Sequence, residues 1–402
     1  MSSKPWMPAV LLAASFGLTA CGGGGSDAPA VQSDNAFAAK SLITNVVDNV
    51  ITATYVELDN RADALLAAVQ ALQTGGATEP ELDAAQAAWR ATRVPWETSE
   101  GFLFGPVDSL GIDPAIDSWP LNTPDLQAFL AANPTATQGD IENAGDDLRG
   151  FHAIELLLFG DGVADNDRDA ADLTAPELSY LVALAQAFAA RTGQLAAAWT
   201  TDFNGAGPYA TLVKTAGASG NTTYVSGAAV LEELVNAVAG IADEVANAKI
   251  AEPFADSAAN ADTSLVESQY SWNSLTDFHN NIQSILNVYT GQRGFDPDAD
   301  TVSTASPGLY SFVAFSNQTL ADRVLGEIIA AQRRVALIKG DGNVRSTEIT
   351  GIAKPFREQI GDATGRTLIS EAIAAISTLQ TSLAQDVLPL VSATTITNTP
   401  AN

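Results

Sequence analysis

Apolar residues recur at three- and four-residue spacing along almost all of this 402-residue chain. Alternating β-branched runs bounded by turn residues are nearly absent. Such a pattern puts one apolar stripe on each helix, so the chain is confined to helix-on-helix packing. Ala, Leu, Gln and Glu are abundant, and all are good helix formers. Two helix starts are well marked. Thr78-Glu79-Pro80-Glu81 and Thr174-Ala175-Pro176-Glu177 each place a Thr three residues before a Glu, with Pro in the first turn. That is capping-box chemistry, in which the two side chains satisfy orphan N–H groups.

Breaks fall at Gly75-Gly76, at Gly105-Pro106, around 160–172 and at 291–307, with a tight turn at Gly340-Asp341-Gly342-Asn343. The spacing predicts helices over 36–73, 79–104, 146–159, 175–202, 225–249, 263–290, 308–338 and 363–388, and a short one near 123–133. The Gly/Ser/Thr-rich stretch 204–227 is the best domain boundary. The expected fold is all-α, with one helical bundle over 36–210 and a second over 211–395. Phe151-His152 precedes Gly160 and Phe278-His279 precedes Gly291, each late in an apolar helix. The two bundles would then be a diverged duplication.

Residues 1–20 read as a signal peptide. Lys4 supplies a positive charge and an apolar run extends from Trp6 to Leu18, too short for a permanent span of ~20 residues. It ends in Leu18-Thr19-Ala20-Cys21, the spacing of a bacterial lipobox, which makes Cys21 the lipidated residue. Residues 21–35, with Gly22 to Gly25, read as the lipidated Cys and a flexible tether. Gly22, where an Asp would favour the inner membrane, points to an outer-membrane anchor facing the periplasm. Cys21 is the sole cysteine, so disulfides, thiolate metal sites and Cys nucleophiles are excluded.

Nineteen Lys and Arg stand against 47 Asp and Glu, for a formal net charge of −28. Phosphate backbones would be repelled, which excludes nucleic acid as a partner. A field of this sign attracts cations.

The chain has two histidines. His152 and Glu155 are three residues apart and share a helix face inside Phe151-His152-Ala153-Ile154-Glu155-Leu156-Leu157-Leu158-Phe159. A Glu among Phe, Ile and Leu is costly to bury without a partner. Two readings fit: a His–Glu hydrogen bond at a domain seam, or a first-row metal site. A site needs more ligands. Arg90, Arg93, Glu97 and Glu100 form one charged stripe, either solvated or partly covered by Trp89, Trp96, Phe102 and Phe104. Asp117 lies between Ile116 and Trp119, an apolar setting for a carboxylate. The expected ligand set is His152, Glu155, Glu100 and Asp117, with Glu97 in reserve. No HExxH or HxxEH zinc-peptidase motif is present. The acidic loops at Asp165 to Asp169 and Asp296 to Asp300 lack the Gly and the twelfth-position Glu of a calcium loop.

The Gly-x-His-x-x-Glu run from Gly150 to Glu155 resembles the signature of the imelysin family. So do Phe102-Leu103-Phe104-Gly105-Pro106 and Ile116-Asp117-Ser118-Trp119-Pro120. In the second half Glu267 to Ser274 and Asp277 to Ile282 look like the family's other marked region, and Leu368 to Ala372 suits its C-terminal helix. The resemblance runs from about residue 36 to 392. It implies two helical bundles with an interdomain site, and an envelope role in uptake or sensing of a metal, iron first, with zinc or copper as alternatives. It also implies an envelope uptake-system partner. Imelysin-type proteins have been described as peptidases too. A metal-dependent peptidase and a non-catalytic helical adaptor lipoprotein are therefore the competing expectations.

Overall fold

Both capping boxes form. Glu81 Oε2 accepts from Thr78 N at 3.2 Å, and Glu177 Oε2 accepts from Thr174 N at 2.9 Å while Glu177 N donates to Thr174 Oγ1 at 3.4 Å. They start the helices Glu79–Glu97 and Ala175–Thr200. The computed structural model describes residues 36–342 and 354–397. The signal, lipobox and tether expected over 1–35 lie outside them, as does the end of the turn at Asn343.

Among the described residues the regular structure is helical, apart from the three-residue strands Ala36–Ala38 and Thr395–Thr397, which pair in parallel. Among the described residues no helix is long and apolar enough to cross a membrane. The helix Ala53–Thr74 packs on the 79–97 and 175–200 helices. Gly227–Glu244, Ser274–Thr290, Gln318–Leu337 and Ala363–Ser382 pack on one another. Trp89, Trp96, Tyr55, Tyr180 and Trp199 are wholly buried.

The first helix, Ala39–Asn45, packs on the 227–244 helix and on Leu309–Ser316. A π turn, Val46–Thr52, then carries the chain into the 53–74 helix. Residues 39–74 thus bridge both groups. Asn45 fastens the bridge: its Nδ2 donates to Gly291 O at 2.8 Å and Pro307 O at 3.1 Å.

The groups meet where the 79–97 helix and the turn Glu100–Phe102 lie against the 274–290 and 227–244 helices. Gly101 permits this approach, since a Cβ there would stand 2.7 Å from Ser284 Oγ. The 274–290 helix is buried at almost every position, including Asn280, Asn281, Gln283, Ser284 and Asn287. Several of its polar groups are paired inside: Gln283 donates through Nε2 to Asn287 Oδ1 at 2.9 Å and accepts through Oε1 from Gln332 Nε2 at 2.6 Å.

Four helix limits differ from expectation. The helix expected to reach 104 ends at Glu97, and a 3-10 turn follows. The helix expected from 146 starts at Phe151, because Gly150 sits at φ +83°. Residues 266–273 form a loop before the 274–290 helix, with Ser268 and Trp272 at positive φ. The helix expected over 308–338 is two, since Asn317 turns the chain and caps the second through Leu320 N at 3.1 Å.

Asn45→Ala should cost about 1–3 kcal/mol by stranding the carbonyls of Gly291 and Pro307, against ~1 kcal/mol for Thr174→Ala at an exposed cap. Urea unfolding with an unchanged slope reads both. An Asn45 variant as stable as the parent would show that the first helix is not fastened there.

Candidate metal centre

Six segments converge at the seam. The 79–97 helix presents Arg90, Arg93 and Glu97 at helical steps, and the next turn adds Glu100. The short helix Ile112–Asp117 ends on Asp117, and Phe151–Phe159 carries His152 and Glu155 one turn apart. Gly150 brings these two together: any Cβ there would overlap the Ile116 carbonyl, so only glycine lets the His152 helix start against Asp117. From the other side a π turn, Val245–Ile250, supplies Lys249, and the 266–273 loop supplies Glu267 and Ser271. The start of the 274–290 helix supplies Asp277 and Asn281.

His152 is wholly buried. Its Nδ1 lies 2.9 Å from Glu155 Oε2. The other oxygen of Glu155 accepts from Ser271 N at 2.8 Å and Ser271 Oγ at 2.7 Å. Trp119 packs against the imidazole with centroids 4.6 Å apart. Ring position and tilt are therefore fixed on the Nδ1 side. On the far side Nε2 faces Asp117 Oδ1 at 3.2 Å and Glu267 Oε1 at 3.9 Å, without a well-aligned hydrogen bond.

Arg93 is also wholly buried and pairs with Glu97, with Asp117, with Glu267 at 2.9 Å and with Asp277 at 3.1 Å. Its guanidinium lies over Phe151, 4.7 Å from the ring centre. Trp96 Nε1 donates to the second oxygen of Asp117. Lys249 Nζ lies 2.9 Å from Glu267 and 3.2 Å from Glu100. Asn281 Nδ2 donates to Glu97 Oε2 at 2.6 Å and Glu100 Oε2 at 3.1 Å.

The charges do not balance with side chains alone. Six carboxylates (Glu97, Glu100, Asp117, Glu155, Glu267 and Asp277) face Arg90, Arg93, Lys249 and His152. Burial pushes Glu97 and Glu100 well above the ordinary carboxylate range, more than Arg93 and Lys249 can offset. Burial acts the same way on Asp117, but Arg93 and the adjacent His152 outweigh it and hold Asp117 low. In Glu267 burial is likewise outweighed, chiefly by Lys249 and Arg93. Burial would lower His152, yet the facing carboxylates of Asp117 and Glu155 push it up to about 9.

The structure brings His152, Glu155, Glu100, Asp117 and the reserve Glu97 into this one cluster. The charged stripe of the 79–97 helix is covered, with Arg93 and Glu97 fully buried. Two groups have donor atoms within 4.8 Å of one another: Asp117, His152 and Glu267, and Glu97, Glu100 and Asp117. Glu155 stands behind His152, on the nitrogen turned away from the first group. His279 lies outside both groups, and burial and Lys339 lower it to about 4.

Glu267, Asp277 and Lys249 were not among the ligands expected from sequence. The helix expected over 263–290 gave Glu267 no destination. The signal was there: two carboxylates, Glu267 and Asp277, flank Trp272 in an otherwise apolar and amide-rich run. One imidazole with several carboxylates is a donor set for a first-row ion. The buried, poorly partnered Nε2 is the atom such an ion would take.

Comparison with known proteins places the chain as a whole. Iron-regulated protein A of Synechococcus elongatus is 29% identical over 357 residues, covering 88% of each chain. A crystal structure described as an iron-regulated protein A precursor from Parabacteroides distasonis superposes with a TM-score of 0.73 at 30% identity, covering 88% of this chain and 94% of that one. An imelysin-like protein from Psychrobacter arcticum shares the fold, with a TM-score of 0.63 at 13% identity, over 90% of this chain and 97% of its own. The family description Imelysin, Peptidase M75, matches residues 51–383, and this chain belongs to the imelysin family.

Proposed function

We propose that this chain is a lipid-anchored envelope protein that captures an iron ion at His152 Nε2, Asp117 and Glu267. The carrying observation is His152 itself: Nδ1 held by Glu155, Nε2 buried and aimed at two carboxylates from opposite halves of the chain. That is the layout of a metal-ligating histidine, whose second nitrogen is oriented by a carboxylate. Of the ligands expected from sequence, His152 and Asp117 keep that role, Glu155 becomes the orienting group and Glu267 takes its place. Glu100 stands in the neighbouring group with Glu97. The bound ion would supply the positive charge that the side chains lack.

The names of the relatives, which carry iron regulation, support iron over zinc or copper, and so does a set dominated by oxygen donors. The lipid anchor at Cys21 and an outer-membrane position facing the periplasm remain part of this reading, with an uptake system as partner. Capture is favoured over peptide hydrolysis because both oxygens of Glu155 are already engaged, by His152 and by Ser271. Glu155 is also wholly buried behind His152, away from the Nε2 side where a water would have to be activated.

Metal analysis of the purified mature chain, with titrations of ferrous, ferric, zinc and copper ions, tests the site. One ion per chain is expected. His152→Ala and Glu267→Ala should abolish binding, while Glu155→Gln should weaken it about 10- to 100-fold, the usual effect of losing an orienting group. A chain that takes no ion at micromolar concentration would sink the reading.

The metal-free protein should also lose stability with rising pH. His152 titrates at about 9 when folded against 6.5 ordinarily. Its contribution is complete below pH 6.5 and disappears as pH rises through about 9. Glu97 and Glu100, raised by burial, act in the same direction. The loss for His152 is on the order of 3 kcal/mol. Chelated protein should melt at a lower temperature at pH 9 than at pH 6.5. A His152→Gln variant should show a smaller drop, and equal drops would remove His152 from the linkage.

A further inference from the structure

Lys249 is an unusual lysine. Its side chain is only 9% exposed, and it projects from the π turn Val245–Ile250 into the carboxylate cluster. π turns are rare and gather at functional sites. A buried ammonium is costly unless its charge is matched on several sides. Here Nζ lies 2.9 Å from Glu267 Oε2, 3.2 Å from Glu100 Oε1 and 4.0 Å from Glu97 Oε2. Three carboxylates around one cation is also how oxygen ligands surround a hard metal ion.

The neighbouring ligand geometry points the same way. Glu97, Glu100 and Asp117 could converge on one ion, and Asp117, His152 and Glu267 on another, so Asp117 is common to both. Glu97 and Glu100 of one group come from a Glu-x-x-Glu run at the end of the 79–97 helix and the turn after it, and the imidazole of the other comes from the facing 151–159 helix. The buried Nε2 of His152, lacking a well-aligned hydrogen bond, faces into the same cluster and independently indicates a ligand.

Two resident cations share this space, and they differ in kind. Arg93 is fully buried, forks to four carboxylates and stacks on Phe151, so it belongs to the scaffold. Lys249 is a compact point charge at the rim, which an ion arriving from solvent could replace.

We propose that the Lys249 ammonium is a built-in cation standing where a second metal ion would otherwise sit, and that it thereby limits this centre to one ion. The one-ion count rests on the His152 reading above, whereas the role of Lys249 does not.

The test counts manganese(II) bound by the purified mature chain, by equilibrium dialysis, with electron paramagnetic resonance of the loaded protein. Lys249→Met should bind one Mn(II) more than the parent, with the spectrum broadened by a neighbouring spin. Lys249→Arg, which keeps the charge, should gain none. Adding Glu100→Gln to Lys249→Met should remove the gained ion. Equal ion counts in the parent and Lys249→Met would overturn the proposal and leave Lys249 a structural counter-ion only. A parent that binds no ion, with a Lys249→Met variant that binds one, would sink the His152 reading and uphold this one. If Lys249→Met does not fold, Lys249→Gln is read in the same way, and an unchanged count there is equally decisive.

Discussion

Everything at the seam depends on Arg93. Its guanidinium is wholly buried and touches Glu97 and Asp117 from the first half of the chain, and Glu267 and Asp277 from the second. A buried cation is tolerated only when its partners are close and well placed, so the two helical groups cannot separate without stranding it. Arginine suits the position because its planar fork can serve several carboxylates at once while one face stacks on Phe151. Asp117 is thereby held ionised beside His152. The ligand arrangement follows from a contact made for assembly.

That dependence explains the excess of carboxylates. Arg93, Arg90 and Lys249 satisfy fewer acidic groups than the cluster contains, and His152 must take up a proton for the sum to come closer. Glu97 and Glu100 are raised well above the ordinary carboxylate range, with burial as the leading cause. A protein needing only a stable seam would do as well with apolar residues of similar volume. In this seam, proton uptake offsets the excess of carboxylates, through the raised His152 and the raised Glu97 and Glu100.

The all-α fold was legible because its signals are local. Three- and four-residue apolar spacing, two capping boxes and a series of glycine breaks each act within one helix. Half of the site was legible for the same reason: His152 and Glu155 share a helix face, and Asp117 stands out among apolar neighbours. Glu267 and Lys249 were not, because their positions are set by departures from regular helix. Glu267 sits in a loop where a helix was expected, and Lys249 is carried on a π turn whose extra residue changes the direction of its side chain. Neither departure has a periodicity to read. Gly150 was visible as part of a motif, but its reason, contact with the Ile116 backbone, exists only between segments 34 residues apart in sequence.

The 266–273 loop shows how assembly and site become one event. Ser268 and Trp272 hold positive φ without being glycine, a conformation that costs on the order of 1–3 kcal/mol per residue. Within the loop Asn273 N donates to Ser268 O at 3.1 Å and Ser274 Oγ closes on Glu267 O at 2.6 Å. Further compensation comes from across the seam: Glu267 pairs with Arg93 and Lys249, Ser271 donates twice to Glu155, and Trp272 Nε1 donates to Gly162 O at 2.9 Å. Trp119, against the His152 ring, adds a bond to Leu265 O at 3.2 Å. The loop keeps its shape only while the halves are joined, and Glu155 keeps the His152 ring in place only while Ser271 is presented to it. Closing the seam and aiming Nε2 are therefore the same folding step.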